Sequence, residues 1–288
     1  MKTLQHRIRE AARVSGLGQQ VVERDYAQGC MLLGIANEPL LRDALVFKGG
    51  TALRKIHIPG FRFSEDLDFT ADGGPMGADL ESAVRKVAAA AEASARQYGA
   101  VTMTVDRYEE RLPHPGGQEA FIVRVQFPWQ RRPMVPVMVE ITQDEPVLMP
   151  SPPRPVLHAY GEPFDVSVRA YGLEEIAAEK LRAIRQTQAR LAARGWARSR
   201  ARDYYNLWHL VRLETGRVDW TLVAGVLPRK CAIRGVTLAS VGDAFASALI
   251  EEVRATWERT LGPFVAELPD VDRILAETRE RLEAVLEL

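Results

Sequence analysis

A chain of 288 residues, 47% hydrophobic and 26% charged, has the composition of an ordinary globular protein, which excludes disorder and leaves room for two domains. Lysine plus arginine and aspartate plus glutamate both number 38, a balance that argues against a protein that coats nucleic acid. No apolar run approaches a membrane span and residues 1–9 lack the apolar stretch of a signal peptide, so the cytoplasm is the expected location and no membrane partner is expected.

Apolar residues at helical spacing predict helices over 3–15, 19–36 and 38–44, the second carrying Val22, Tyr26, Met31 and Ile35. Leu45–Phe47 reads as a strand that runs into a Gly49-Gly50 turn and a helix over 51–57. After a Pro59-Gly60 loop comes a strand from Phe63 to Phe69, then a loop over 71–77 and an alanine-rich helix over 79–99. Alternating segments at 101–108, 119–128 and 134–142 read as strands, with a turn at 113–117. Together with the first two strands they make a mixed sheet of about five, a normal size. Five prolines between Pro146 and Pro155 mark a linker or a stiff surface loop, and 166–171 adds a short strand. Helical patterning then covers 173–194, 199–215, 219–226, 238–261 and 271–286. The fold class is α+β: a mixed sheet with flanking helices over 1–168, then a mostly helical domain over 169–288. Cys30 and Cys231 lie far apart in apolar segments and read as buried thiols. His57, His114, His158 and His209 show no ligand pairing and read as structural.

A strand alternates its side chains, so Asp66 and Asp68 point one way while Leu67 and Phe69 point into a core. Two aspartates side by side repel unless a cation lies between them, and Mg²⁺ takes carboxylate oxygens plus substrate phosphates. Gly49-Gly50 opens a helix, where backbone N–H groups are available and a phosphate can approach closely. Thr51 either caps that helix or bonds a phosphate. Plainer readings exist: a tight turn for the glycines and a solvated strand face for the aspartates. Adjacent Arg62 and Ser64 favour a site. In Val137-Met-Val-Glu-Ile141, alternation groups Glu140 with Met138, away from Val139 and Ile141. Glu140 is therefore an open third candidate for the metal, the other options being to orient water or to pair with an arginine.

Charge is unevenly distributed. Lys180, Arg182, Arg185, Arg190, Arg194, Arg198, Arg200 and Arg202 follow one another with no acid between them, whereas the chain from Glu267 onward is acidic. The basic run is either the solvated face of an amphipathic helix or a nucleic-acid surface on which Arg190, Arg194 and Arg198 meet phosphates. Trp129, Trp196, Trp208, Tyr204 and Tyr205 are candidates to stack bases, although Tyr204, Tyr205 and Trp208 fall at helical spacing and read as core.

Phe47-Lys-Gly-Gly-Thr-Ala-Leu-Arg54, with Arg62-Phe-Ser-Glu-Asp-Leu-Asp-Phe69, resembles the first two motifs of the AbiEii/AbiGii family. These are nucleotidyltransferase toxins of abortive-infection and type IV toxin–antitoxin systems, related to the mycobacterial MenT toxins within the polymerase-β-like superfamily. Ala178-Glu-Lys-Leu-Arg182 resembles the third motif and Arg200-Ala-Arg-Asp-Tyr-Tyr-Asn-Leu207 the fourth, so the similarity spans about residues 40–210. The resemblance implies a polymerase-β-like nucleotidyltransferase fold and metal-dependent transfer of a nucleotide from an NTP. It implies that Asp66 and Asp68 hold Mg²⁺ or Mn²⁺. Gly49, Gly50, Thr51 and Ser64, with Lys48, would line the triphosphate, and Arg62 would neutralise its charge. Lys180 would contact the nucleotide, and Asp203 would act as a base toward the attacking hydroxyl or orient it, so that the helical domain completes the site. The implied acceptor is RNA, tRNA first, and a cognate antitoxin is the implied partner. Transfer to a protein or small molecule, or an inactive nucleotide-binding module, are the alternatives.

Overall fold

The computed structural model describes residues 2–109, 117–213 and 216–287 and divides into two compact units, Met1–Tyr171 and Gly172–Leu288. His114, most of the predicted turn at 113–117 and the predicted helix end at Thr215 lie outside the described residues.

The first unit contains α1 (Leu4–Ser15), α2 (Gln19–Asn37), α3 (Pro39–Ala44), β1 (Leu45–Lys48) and α4 (Gly49–Ala52), which continues as a π-helical turn over Leu53–His57. There follow β2 (Asp66–Ala71), α5 (Gly77–Ala95), β3 (Thr102–Tyr108), β4 (Gln118–Gln126), β5 (Val135–Thr142), β6 (Pro153–Pro155) and β7 (Ser167–Arg169). The first five strands form the expected mixed sheet in the order β1-β2-β5-β4-β3. β2 and β5 run parallel, and the other pairs are antiparallel. Leu67, Phe69, Phe121, Val123, Val137, Val139 and Ile141 are buried and supply the sheet's apolar layer. Helices α2 and α5 pack together and on the sheet; Gly34 permits this approach, since a side chain there would meet the Val87 carbonyl.

Two predictions change in this unit. The proline-rich segment is not simply a linker, because β6 pairs with β7 in a two-stranded antiparallel sheet. Proline donates no ladder hydrogen bond, which suits so short a strand. Strand β2 starts at Asp66 rather than Phe63. Residues 61–64 belong to no strand and are held by side chains instead: Arg54 donates to the Phe61 carbonyl and Gln28 to the Ser64 carbonyl at 3.2 Å. The chain then returns to β1, where Tyr171 N–H donates to the Phe47 carbonyl at 3.0 Å.

Between α2 and the π-helical turn after α4 lies a buried ion cluster. The Asp25 carboxylate accepts from Arg54 at 2.7 Å, from Lys55 at 2.8 Å and from the Tyr160 hydroxyl at 2.8 Å. Burial alone would push this carboxyl up, but Lys55 and Arg54 outweigh it and hold it well below the usual carboxylate range.

The second unit is helical: α6 (Leu173–Arg194), α7 (Ala201–Leu210), α8 (Trp220–Ile233), α9 (Ser247–Leu261) and α10 (Val271–Val285). Helix α8 runs past its expected end at Val226, through Pro228. Its continuation carries Lys230, whose buried ammonium pairs with Glu175 at 2.8 Å and Glu179 at 3.2 Å on α6. The predicted helix over 238–261 is two elements. A 3₁₀ turn over Val241–Phe245, capped by Ser240 and Asp243, precedes α9, and Ala246 is extended between them at ψ 136°. Among the described residues no helix is long and apolar enough to cross a membrane.

Replacing Asp25 tests the cluster. Asp25→Asn would leave the buried Lys55 and the half-buried Arg54 without their counter-charge, so urea unfolding should show a loss of about 3–5 kcal/mol. A loss under about 1 kcal/mol would show that the cluster does not hold the unit. A carboxyl depressed on folding stabilises above its unfolded pKa, so this contribution should be present at neutral pH and fade as pH falls below about 4.

Candidate active site

The local chain path at β1 is set by Gly49. Its φ of +79° is left-handed, and a side chain there would collide with the Asp68 carboxylate. Asp68 therefore rests against the bare Cα at the start of α4. At Gly50 a Cβ would lie 2.8 Å from Arg62 Nη2 and 3.4 Å from Ser64 Oγ. The two glycines thus form a floor on which a carboxylate from β2 and a guanidinium and a hydroxyl from the 61–64 loop just before it converge.

Register places the other carboxylates. Residues opposite each other on neighbouring strands share a face. Asp68 lies opposite Lys48 on β1 and opposite Glu140 on β5, giving the row Lys48–Asp68–Glu140, and Asp66 lies opposite Met138 on the same face. Asp66, Asp68 and Glu140 are each half-buried. Glu140 therefore does share a face with Met138, and that face is also the face of the aspartates. Among the described residues no group of three or more His, Cys, Asp or Glu side chains is gathered closely enough to hold a metal ion by itself. That is compatible with magnesium, which commonly uses one or two carboxylates and takes its remaining ligands from phosphates and water. The donors on this face are hard oxygens, the class that Mg²⁺ or Mn²⁺ prefers.

Three of the expected phosphate-binding residues have other engagements. Thr51 is fully buried and its hydroxyl donates to the Asp66 backbone carbonyl, which fastens α4 to β2. Lys48 is buried, 3.9 Å from Glu145 and 5.9 Å from the centre of the Tyr171 ring. Arg62, also buried, donates to the Phe63 carbonyl at 2.9 Å while its Nη2 covers Gly50.

In the second unit, α6 and α7 bring Lys180 to Asp203 at 2.6 Å, and Arg200 reaches the same carboxylate at 3.2 Å. Asp203 is buried. Burial raises its carboxyl, but Lys180 and Arg200 outweigh that and hold it below its ordinary range. A carboxylate so paired takes up a proton poorly near neutral pH, which counts against the expected base role and favours one as counter-ion.

The basic run also divides. Arg182 is buried on α6, Arg185 donates to the Thr237 carbonyl at 2.7 Å, and Arg202 lies 4.8 Å from the centre of the Phe264 ring. Arg190 is pushed below its usual range by burial and by Arg200, Arg194, Arg182 and Arg234, a crowding of like charge. Arg194 and Arg198 are exposed. Gly195, at φ +73°, ends α6, and next to it Trp196 is 65% exposed, so its indole faces solvent between two arginines. The other candidate stackers are more enclosed: Trp208, Tyr204 and Tyr205 are buried, and Trp129 stacks on Phe127 at 4.9 Å. Three of the four histidines read as structural are engaged in that way, His57 with the Tyr171 carbonyl at 2.9 Å, His158 with Glu162 at 3.1 Å and His209 against Tyr205 at 4.7 Å.

Sequence reading missed Asp25, Gln28 and Arg54, which stand behind the site. A signal existed: Asp25 and Gln28 are polar residues amid the apolar residues of a buried helix.

Comparison with known proteins bears on this geometry. A family model described as "Nucleotidyl transferase AbiEii toxin, Type IV TA system" matches residues 31–287. No curated protein matches. Among solved structures, MenT4, a nucleotidyltransferase toxin from Mycobacterium tuberculosis, is similar over 100% of this chain and 91% of its own, with a TM-score of 0.66 and 22% identity. At that identity the likeness concerns the fold.

Gly49→Ala should destabilise the protein by about 1–3 kcal/mol through its positive φ and its collision with Asp68. Gly60 is the control, since its φ is +73° but nothing lies within 4 Å of an added Cβ. Gly60→Ala should therefore be the milder change in thermal melts; equal losses would show that Asp68 does not depend on the bare Cα.

Proposed function

The chain belongs to the AbiEii family of nucleotidyl transferase toxins of type IV toxin–antitoxin systems, and on that premise we propose that it transfers a nucleoside monophosphate from an NTP to an RNA acceptor, tRNA in the first instance. The observation that carries this proposal is the convergence of Asp68, Arg62 and Ser64 on Gly49-Gly50. A triphosphate lies along the glycine floor, where side chains would exclude it, with Arg62 and Ser64 as donors. Asp66 and Asp68 would hold Mg²⁺ or Mn²⁺, and Glu140 lies beside Asp68 in register. When bound, the metal neutralises phosphate charge as it develops. The acceptor hydroxyl attacks the α-phosphorus in line and gives its proton to water, a new O–P bond forms, the bond from the α-phosphorus to the oxygen bridging it to the β-phosphorus breaks, and pyrophosphate leaves with that oxygen. Catalysis of this kind is mostly positioning and charge neutralisation.

Lys180 serves the same transfer as a cation for the nucleotide, oriented by Asp203. Arg190, Arg194 and Arg198 meet acceptor phosphates, and Trp196 offers a face for a base. Membership of the family also implies an antitoxin as partner.

Incubation of the purified protein with each labelled NTP, Mg²⁺ and total RNA should label RNA. Asp66→Asn or Asp68→Asn should reduce labelling by about a hundredfold or more with the fold intact. Retained labelling in both variants would overturn the site. Neutralising Arg190, Arg194 and Arg198 together should suppress RNA labelling and flatten its salt dependence; labelling of protein or small molecules instead of RNA would overturn the acceptor. Because Asp203 is held below its ordinary range, the rate between pH 5 and 8 should show no inflection that Asp203→Asn removes.

A further inference from the structure

Residues 61–64 carry Arg62 and Ser64 onto Gly50, yet no strand holds them. They are held by two side chains that lie behind the floor. Arg54 spans the gap: its Nε donates to Asp25 at 2.7 Å, its Nη1 donates to the Phe61 carbonyl, and its guanidinium carbon sits 3.6 Å from the centre of the Phe63 ring. Gln28 fastens the other end, donating to the Ser64 carbonyl at 3.2 Å. Asp25, three residues before Gln28 on α2, anchors Arg54 and also accepts from Lys55, the residue after Arg54. One helix thus grips the loop at both ends.

The chemistry of the grip argues for more than stability. Gln28 is fully buried, and its Oε1 has no hydrogen-bond partner among the described residues. A buried amide with an unsatisfied oxygen is destabilising, and an apolar residue of similar shape is the better choice where stability alone matters. The amide N–H is used on one acceptor, the carbonyl of the residue whose hydroxyl faces Gly50. Arg54 is similarly particular, because lysine would keep the charge opposite Asp25 but lose the planar fork that reaches Phe61 and stacks on Phe63.

We propose that Arg54 and Gln28 are positioning residues for the triphosphate: they fix the 61–64 loop so that Arg62 and Ser64 point at the glycine floor. This rests on the nucleotide reading of the floor. A phosphate bound there meets donors already in place, and loosening the loop makes binding supply that order. The loss falls on nucleotide affinity, and so on KM more than on kcat.

The test uses Gln28→Leu and Arg54→Lys in the full chain. Binding of Mg²⁺ with ATP, GTP, CTP and UTP in turn is measured by calorimetry, KM and kcat for labelled transfer to total RNA are measured alongside, and each variant is melted. Gln28→Leu should weaken the NTP bound by wild type about fivefold while melting at or above the wild-type temperature, a combination that a purely structural glutamine would not give. Arg54→Lys should weaken it about tenfold or more, with KM rising further than kcat falls. Wild-type affinity in both variants would overturn the proposal and leave the nucleotide site standing. Weakened binding that appears only with a lowered melting temperature in Gln28→Leu would also overturn it, in favour of a stability role. Failure of the wild-type protein to bind any of the four NTPs would overturn the nucleotide reading itself, and the positioning role with it.

Discussion

The site depends on a carboxylate resting against a glycine. Asp68 packs where a Cβ of Gly49 would lie, and Gly49 turns from β1 into α4 at a φ of +79° that other residues adopt only under strain. This close approach aligns three things. It brings β2 beside β1 with Asp68 opposite Lys48; it frees the start of α4 of side chains; and it leaves Gly50 beneath Arg62 and Ser64. The parallel pairing of β2 with β5 then sets Glu140 beside Asp68. Acidic oxygens and cationic donors thus lie close together on one face, while the apolar residues of the same strands are buried.

Such an arrangement concentrates charge and needs support from behind. The Asp25 cluster supplies it, with one buried carboxylate opposing two cations, one of which also grips the loop bearing Arg62. Buried pairs contribute little net stability compared with apolar packing, and their better use is to specify one geometry. Lys180 and Asp203 follow the same logic in the helical unit: their contact holds an ammonium in a defined place and keeps Asp203 ionised. Charge in this protein is largely organised as fixed pairs, and the exposed arginines around Trp196 depart from that pattern.

Much of this was legible from sequence because it is local. Asp66 and Asp68 share a face by strand alternation, Gly49-Gly50 announces a turn, and the four motifs place the chain in its family. What was not legible depends on partners distant in sequence. The position of Glu140 follows from a register across 72 residues between Asp68 and Glu140. Thr51 reads as a helix cap or a phosphate ligand, and the Asp66 carbonyl that accepts its hydroxyl lies on a strand the sequence does not place beside it. Asp203 reads as a base, an orienting group or the partner of a nearby arginine, and only the approach of α6 to α7 shows that Lys180 joins Arg200 on its carboxylate. Pro228 reads as a helix end, but the buried pairing of Lys230 with Glu175 and Glu179 carries α8 onward. Gln28 has no motif to mark it, and Arg54 closes the first motif without any sign of its partners, since the role of both exists only once α2 lies behind the loop.

The most direct measurement of the central claim is a crystal structure with Mn²⁺ and a non-hydrolysable NTP, with manganese located by its anomalous scattering. The account predicts manganese at Asp66 and Asp68 and phosphates over Gly49-Gly50 within reach of Arg62 and Ser64. Manganese and phosphates bound elsewhere, with that face bare, would contradict it.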